Sequence, residues 1–189
     1  MNLQIFKHHL ATLAAILLGV FGVRAFADST SVSSASQTVL PGQPAPGFTL
    51  LSQEGAPVSL KDYRGHWIVL YFYPRDFTSG CTIEAHNFQR DSALYAKADA
   101  VVLGVSTDSH GSHKEFCAKE GLNFKLLADT SAEVSTLYNS VRNILGHKSS
   151  VRNTFVINPD GNVVRIFIGV KPTVHSEEVL AALKDLQTK

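Results

Sequence analysis

Cysteine is scarce here. The 189 residues hold two, Cys81 and Cys117, too few for a disulfide framework and too far apart for a C-x-x-C dithiol motif. An excess of one charge is missing as well. Lys and Arg number 17 against 16 Asp and Glu, a net charge of +1 with no run of like sign, so no nucleic-acid footprint is present. No internal repeat, nucleotide-binding glycine pattern, haem motif or metal-ligand cluster stands out. Any redox chemistry must then be carried by the thiols themselves, and the expectation is no cofactor and no metal. No acidic residue precedes Asp28. No apolar run suits a bilayer either, because Leu10 to Val23 falls short of the roughly 20 residues a spanning helix needs.

What is present begins with the N-terminus. Lys7, His8 and His9 precede the apolar run, which ends in Ala25-Phe26-Ala27, an A-x-A pattern. This layout reads residues 1–27 as a secretory signal peptide, with an uncleaved anchor as the alternative. Either places the domain outside the cytosol, with the bacterial periplasm as the expected location. Membrane association follows only from the anchor reading. Residues 28–39 are Ser- and Thr-rich and read as a flexible leader. The domain is expected over 40–189, and 44% hydrophobic composition is enough for one full core.

Along that domain, Phe48–Leu51 and Val58–Leu60 read as a hairpin around Gly55. Trp67–Tyr73 and Ala100–Ser106 are continuous apolar, β-rich runs, suited to strands buried on both faces. Helices are expected over Cys81–Lys97, His110–Glu120 (stopped by Gly121), Glu133–Tyr138 and Ser176–Leu186. A short strand fits "FKLLAD". A late hairpin turns at Pro159-Asp160-Gly161. Alternating strands and helices argue a mixed central sheet flanked by helices.

Cys81 follows a buried strand and opens a helix in "YFYPRDFTSGCTIEA". A helix N-terminus carries unpaired N–H groups and partial positive charge, and both favour a thiolate. Thr78 can set a hydroxyl beside the sulfur, to accept from one partner and donate to another. Pro74 ends the strand and can wall off solvent. The expected result is a small, shielded, electropositive pocket around a nucleophilic sulfur.

Pro74, Thr78 and Cys81 fit the P-x-x-x-T-x-x-C signature of peroxiredoxins. The wider string, with "LKDYRGHWIVLYFYP" and "VRNTFVINPDG", resembles the subgroup called PrxQ or bacterioferritin comigratory protein. The resemblance implies a thioredoxin-like fold and thiol-dependent reduction of hydrogen peroxide and organic hydroperoxides. It makes Cys81 the peroxidatic cysteine, Thr78 the residue that orients peroxide and thiolate, and Arg152 the arginine completing the pocket. It further implies a thioredoxin-like dithiol reductant as partner, and a monomer. Arg152 suits the role chemically, since a guanidinium stays charged and presents several donors. Taken alone it reads as a strand-edge surface residue. Glu84 either ties down the arginine network or complements the helix dipole as an exposed first-turn glutamate.

One departure matters. Many PrxQ members carry a second cysteine five residues after the first, where this chain has His86. His86 reads as a helix-surface histidine, with a catalytic base as the alternative. Cys117, in "SHGSHKEFCAKEG", is then the candidate resolving cysteine, as the resemblance allows, forming a Cys81–Cys117 disulfide. A buried inert thiol, a permanent structural disulfide and a metal site with His110 and His113 are its other readings. A resolving role on a separate helix would require the first turn around Cys81 to unwind in each cycle. Two other functions stay open: a secreted thioredoxin-like disulfide oxidoreductase, and a non-catalytic module with a structural disulfide.

Overall fold

The structure, a computed structural model, describes residues 38–188. The signal-peptide reading of 1–27 and most of the leader fall outside the described residues. Inside them the leader's last residue, Val39, is already buried, against Leu60, Phe155 and their neighbours.

Among the described residues, nine strands and five α-helices follow in order. The hairpin β1 (Thr49–Ser52) and β2 (Pro57–Ser59) leads into a 3-10 turn over Leu60–Tyr63. Next come β3 (Trp67–Phe72), α1 (Ser79–Arg90), α2 (Ser92–Lys97), β4 (Ala100–Ser106), α3 (His110–Glu120), β5 (Lys125–Ala128) and α4 (Glu133–Leu137). The chain ends with β6 (Val141–Ile144), β7 (His147–Ser150), β8 (Asn153–Ile157), β9 (Val163–Ile168) and α5 (His175–Gln187). Seven strands form one sheet in the order β2-β1-β5-β4-β3-β8-β9. The pairs β3–β4 and β4–β5 are parallel, and β1, β8 and β9 add antiparallel edges. This is the expected thioredoxin-like arrangement, with a mixed sheet and an N-terminal hairpin.

The alternation of β3 explains the two cores. Val69, Tyr71 and Tyr73 face one side, with Cys81, Phe88, Phe116, Cys117, Val179 and Leu183 from α1, α3 and α5. Ile68, Leu70 and Phe72 face the other, with Leu103, Val105, Val134 and Tyr138. Both faces of β3 are covered, which is why its sequence runs apolar without a break. Tyr71 pairs with Gly104 across the parallel ladder. A Cβ at Gly104 would lie 2.8 Å from the Tyr71 ring, so glycine there lets the ring lie flat beneath the helices.

Three local expectations change. The first helix begins at Ser79 rather than Cys81, so the cysteine sits inside the first turn. The helix expected through Lys97 breaks at Asp91, whose carboxylate accepts from Arg90 and from the Ser176 hydroxyl of α5 at 2.8 Å. That tertiary bond fixes Asp91 outside helical geometry, at ψ 8°. The small β6–β7 hairpin was not expected. Its turn places Leu145 and Gly146 at positive φ, 51° and 86°, where a hairpin usually shows Asn-Gly or Asp-Gly.

Candidate active site

Cys81 is the third residue of α1 and is 2% exposed. The helix closes its first bond from Thr82 N–H to the Thr78 carbonyl, 2.9 Å, so the preceding N–H groups have no partner within the helix. Those groups and the helix dipole favour negative charge at this end. Arg152, between β7 and β8, reaches in from the other side. Its Nη2 donates to the Cys81 sulfur at 3.2 Å. Its Nη1 donates to Oε2 of Glu84, one turn along α1 from Cys81. Glu84 is 1% exposed, which rules out the exposed first-turn role. Arginine and glutamate therefore form one unit behind the thiol, the carboxylate buried and the guanidinium partly exposed. Arg152 is not a strand-edge surface residue.

Thr78 is the N-cap of α1 by backbone geometry, but its side chain does not cap the helix. Its hydroxyl donates to the Arg75 carbonyl at 3.0 Å and forms no hydrogen bond with the sulfur. That leaves the oxygen's lone pairs open on an exposed side chain. Pro74 is partly buried and lines a surface cavity of about 390 Å³ with Val151, Arg152, Gly169, Val170 and Arg142. This cavity opens onto the arginine that touches Cys81. Arg142 stands at it because of the unforeseen β6–β7 hairpin, which Ser149 ties to the Pro74 carbonyl at 3.2 Å.

Cys117 lies in the later part of α3, 8% exposed, and both cysteines are free thiols. The permanent disulfide is therefore not what this structure holds. Burial, followed by the Asp76 charge, pushes the Cys117 thiol up to about 11. The proposed metal companions are elsewhere engaged or exposed. His113 is fully buried, its Nδ1 2.9 Å from Asp76 Oδ2, while His110 lies on the surface. His86 is an exposed helix histidine paired with Glu120 of α3 at 3.0 Å.

Several residues carried no readable signal. Gly80 is one: a Cβ there would sit 2.8 Å from Arg152 Nη2, so the bare backbone admits the guanidinium. Asp76 is another. It accepts from Tyr73 O–H at 2.7 Å and Ser112 O–H at 2.6 Å besides pairing with His113. The histidine bond and these hydroxyls hold its carboxyl below the usual range against the opposing pull of burial. The loop before Cys81 is thereby anchored to α3. Phe77, at φ 61°, completes the anchor by setting its ring 5.1 Å from Phe116. His175 is the third. Fully buried at the start of α5, its Nδ1 meets Glu84 Oε1 at 2.9 Å. A lone histidine one residue ahead of an expected helix offers no pattern to read.

Comparison with known proteins agrees with this geometry. A model of the AhpC/TSA family matches residues 41–166. The Bacillus subtilis protein named peroxiredoxin Bcp is 39% identical over 156 residues, covering 80% of this chain and 99% of that one. Two cysteine-to-serine variants of Xanthomonas campestris peroxiredoxin Q superpose with a TM-score of 0.71 at 36% identity. They cover 79% of this chain and 98% and 99% of theirs. Their two substituted cysteines are spaced along that chain as Cys81 and Cys117 are here. A further structure, of the Xanthomonas campestris bacterioferritin comigratory protein, concerns its alkyl peroxide reduction activity. It matches with a TM-score of 0.68 at 37% identity, covering 73% of this chain and 90% of that one.

Proposed function

The chain belongs to the AhpC/TSA family as a thiol-dependent peroxidase of the peroxiredoxin Bcp and peroxiredoxin Q kind, and from that premise we propose that Cys81 is the peroxidatic thiol and Cys117 the thiol that resolves it. The observation that carries the first assignment is Arg152 Nη2 at 3.2 Å from the Cys81 sulfur, with Glu84 holding its other nitrogen. A fixed cation at the sulfur favours the thiolate, and the same guanidinium can stabilise charge that develops as the O–O bond breaks.

The Cys81 thiolate attacks one peroxide oxygen. An S–O bond forms, the O–O bond breaks, and the departing oxygen takes a proton to leave as water or alcohol. Thr78 accepts from the peroxide O–H with the lone pairs its Arg75 bond leaves free. Pro74 limits water at the cavity. The cavity's Val151 and Val170 provide apolar contact for the carbon chain of an organic hydroperoxide, in keeping with the Xanthomonas relative.

Cys117 then attacks the Cys81 sulfenic acid, forming a disulfide and releasing water. Support comes from the matching cysteine spacing in that relative and from the placement of both thiols in one core. Both are buried and unbonded, so the step needs the first turn of α1 to open. A thioredoxin-like dithiol protein supplies two electrons and two protons to restore both thiols. The N-terminal segment supports export to the periplasm, and one domain with a self-contained pocket supports action as a monomer. A disulfide exchanger would want a second thiol where Thr78 stands, and the Cys81 site offers none.

The test is thiol counting and mass spectrometry on reduced protein given one equivalent of hydrogen peroxide. The expected result is rapid loss of both thiols, a mass lower by two hydrogens, and a peptide linking Cys81 to Cys117. Cross-linked dimers, or both thiols surviving, would overturn the proposal.

A further inference from the structure

The arginine that touches Cys81 is aimed by a carboxylate that is itself held from behind. Glu84 is 1% exposed, and its two oxygens have separate partners. Oε2 accepts from Arg152, and among the described residues Oε1 meets only His175 Nδ1, at 2.9 Å. We propose that His175 is a positioning residue for peroxide reduction, the neutral donor that locks Glu84 so that Arg152 points at the Cys81 sulfur. This deepens the reading of Cys81 as the peroxidatic thiol and rests on it.

The geometry defines the tautomer. A carboxylate oxygen can only accept, so Nδ1 carries the proton. Nε2 is fully buried and has no hydrogen-bond partner among the described residues. Aromatic rings surround the imidazole: Phe88 at 5.1 Å, Phe167 at 6.4 Å and Tyr71 at 6.5 Å between centroids. A proton on Nε2 would meet no acceptor among the described residues. A neutral donor suits the task. It satisfies the second oxygen of Glu84 yet leaves the whole negative charge for Arg152, where a second cation would compete for it.

The fold makes the lock rigid. His175 opens α5, a thirteen-residue helix seated in the core through Val179 and Leu183. Asn87, on α1 beyond Glu84, donates to the Pro172 carbonyl at 3.0 Å and the Thr173 carbonyl at 3.3 Å. The same helix that carries Cys81 thus grips the strand of chain leading to His175 at two places. Without His175, one carboxylate oxygen would be buried and unpaired, and Glu84 could relieve this by rotating or taking a proton. Either response releases Arg152. The charged and titratable groups around the sulfur are then Arg152, Glu84 and the Tyr71 phenol, which burial and the Glu84 charge push well up.

The experiment compares His175→Asn, whose amide nitrogen stands where Nδ1 stood, with His175→Leu, which has no donor. Rates of peroxide reduction and the pH profile of Cys81 alkylation are measured for both, alone and combined with Glu84→Gln. The leucine variant should lose about tenfold to a hundredfold in rate, the scale of one hydrogen bond to a charged group. Its alkylation profile should move to higher pH, and the asparagine variant should stay within about threefold of wild type. With Glu84→Gln already present, His175→Leu should add less than about twofold, because the two act as one unit. Nitrogen NMR of the wild-type protein should show the Nδ1–H tautomer. An unchanged profile in His175→Leu, an undiminished effect in the Glu84→Gln background, or an Nε2–H tautomer or imidazolium at neutral pH would each overturn the proposal. The tautomer and the asparagine variant decide the matter if His175→Leu does not fold. Slow peroxide reaction in wild type would instead sink the role of Cys81, while alkylation still reports on the lock.

Discussion

Cys81 lies in the first turn of α1 with a guanidinium on its sulfur. Cys117 lies toward the end of α3, the negative end of the helix dipole, where the carboxylate of Asp76 adds negative charge. Both thiols are free and both pack into the same core beside Tyr71. Two buried thiols therefore have unequal chemistry. What separates them is the sign of the fixed charges around each sulfur, and these are set by which helix end the residue occupies and which loop residue reaches it. Each region also has its own buried carboxylate–histidine pair. Glu84 with His175 backs the guanidinium at Cys81, while Asp76 with His113 clamps the approach loop to the helix of Cys117. In the proposed cycle, Cys81 acts first, and Cys117 acts only once the first turn of α1 has opened.

The sharpest way to break this contrast is to exchange the thiols for hydroxyls one at a time. Cys81→Ser should reduce peroxide consumption by about a thousandfold or more, since no nucleophile remains at the guanidinium. Cys117→Ser should leave the first turnover within about twofold and strand Cys81 as a sulfenic acid, detectable with a dione trapping reagent. If the second variant also loses the first turnover, the division of labour is wrong. Next in size is removal of the charge. Arg152→Met should lower the rate constant with peroxide by about a hundredfold to a thousandfold without altering Cys117 alkylation in unfolded protein. A smaller effect follows from crowding rather than deleting the arginine. A methyl group at Gly80 would stand 2.8 Å from Nη2, so Gly80→Ala should cost about tenfold in rate with little change in stability. Full activity in that variant would show that the guanidinium has slack the structure does not display.

The smallest effect belongs to Cys117. Its thiol is raised to about 11 in the fold. The folded chain keeps that proton at a pH where the unfolded chain has already released it. The stabilisation is complete below about pH 9 and fades as pH rises towards 11. Urea titrations of wild type and Cys117→Ala should therefore differ in slope across that window, with the alanine variant flatter. Parallel curves would mean that Cys117 is less shielded than its surroundings indicate.

The chain's pattern and its tertiary contacts contributed differently. The apolar runs of β3 and β4 and the Pro74, Thr78 and Cys81 spacing were legible, because a doubly covered strand and a thiol at a helix start leave local marks. The β6–β7 hairpin was not, since Leu145 occupies a turn position where Asn or Asp would have announced it. Arg152 was legible by resemblance alone. As a residue it could equally have lain on a surface. Gly80, Asp76 and His175 were silent because each acts on a partner far away in sequence, and a single glycine, aspartate or histidine has no periodicity to betray it.

By itself, then, the sequence determined that one thiol follows a buried strand at the start of a helix and that no second thiol stands near it. Helix starts and buried strands are written in neighbouring residues, which is why they could be read. Only the tertiary structure decided that Arg152 reaches that sulfur, that Glu84 and His175 hold the arginine there, and that Cys117 is wrapped in apolar and acidic surroundings. Charges act through space over a few ångströms, and packing α1 against α5 and β8, and α3 against the same sheet, is what brings those distances about.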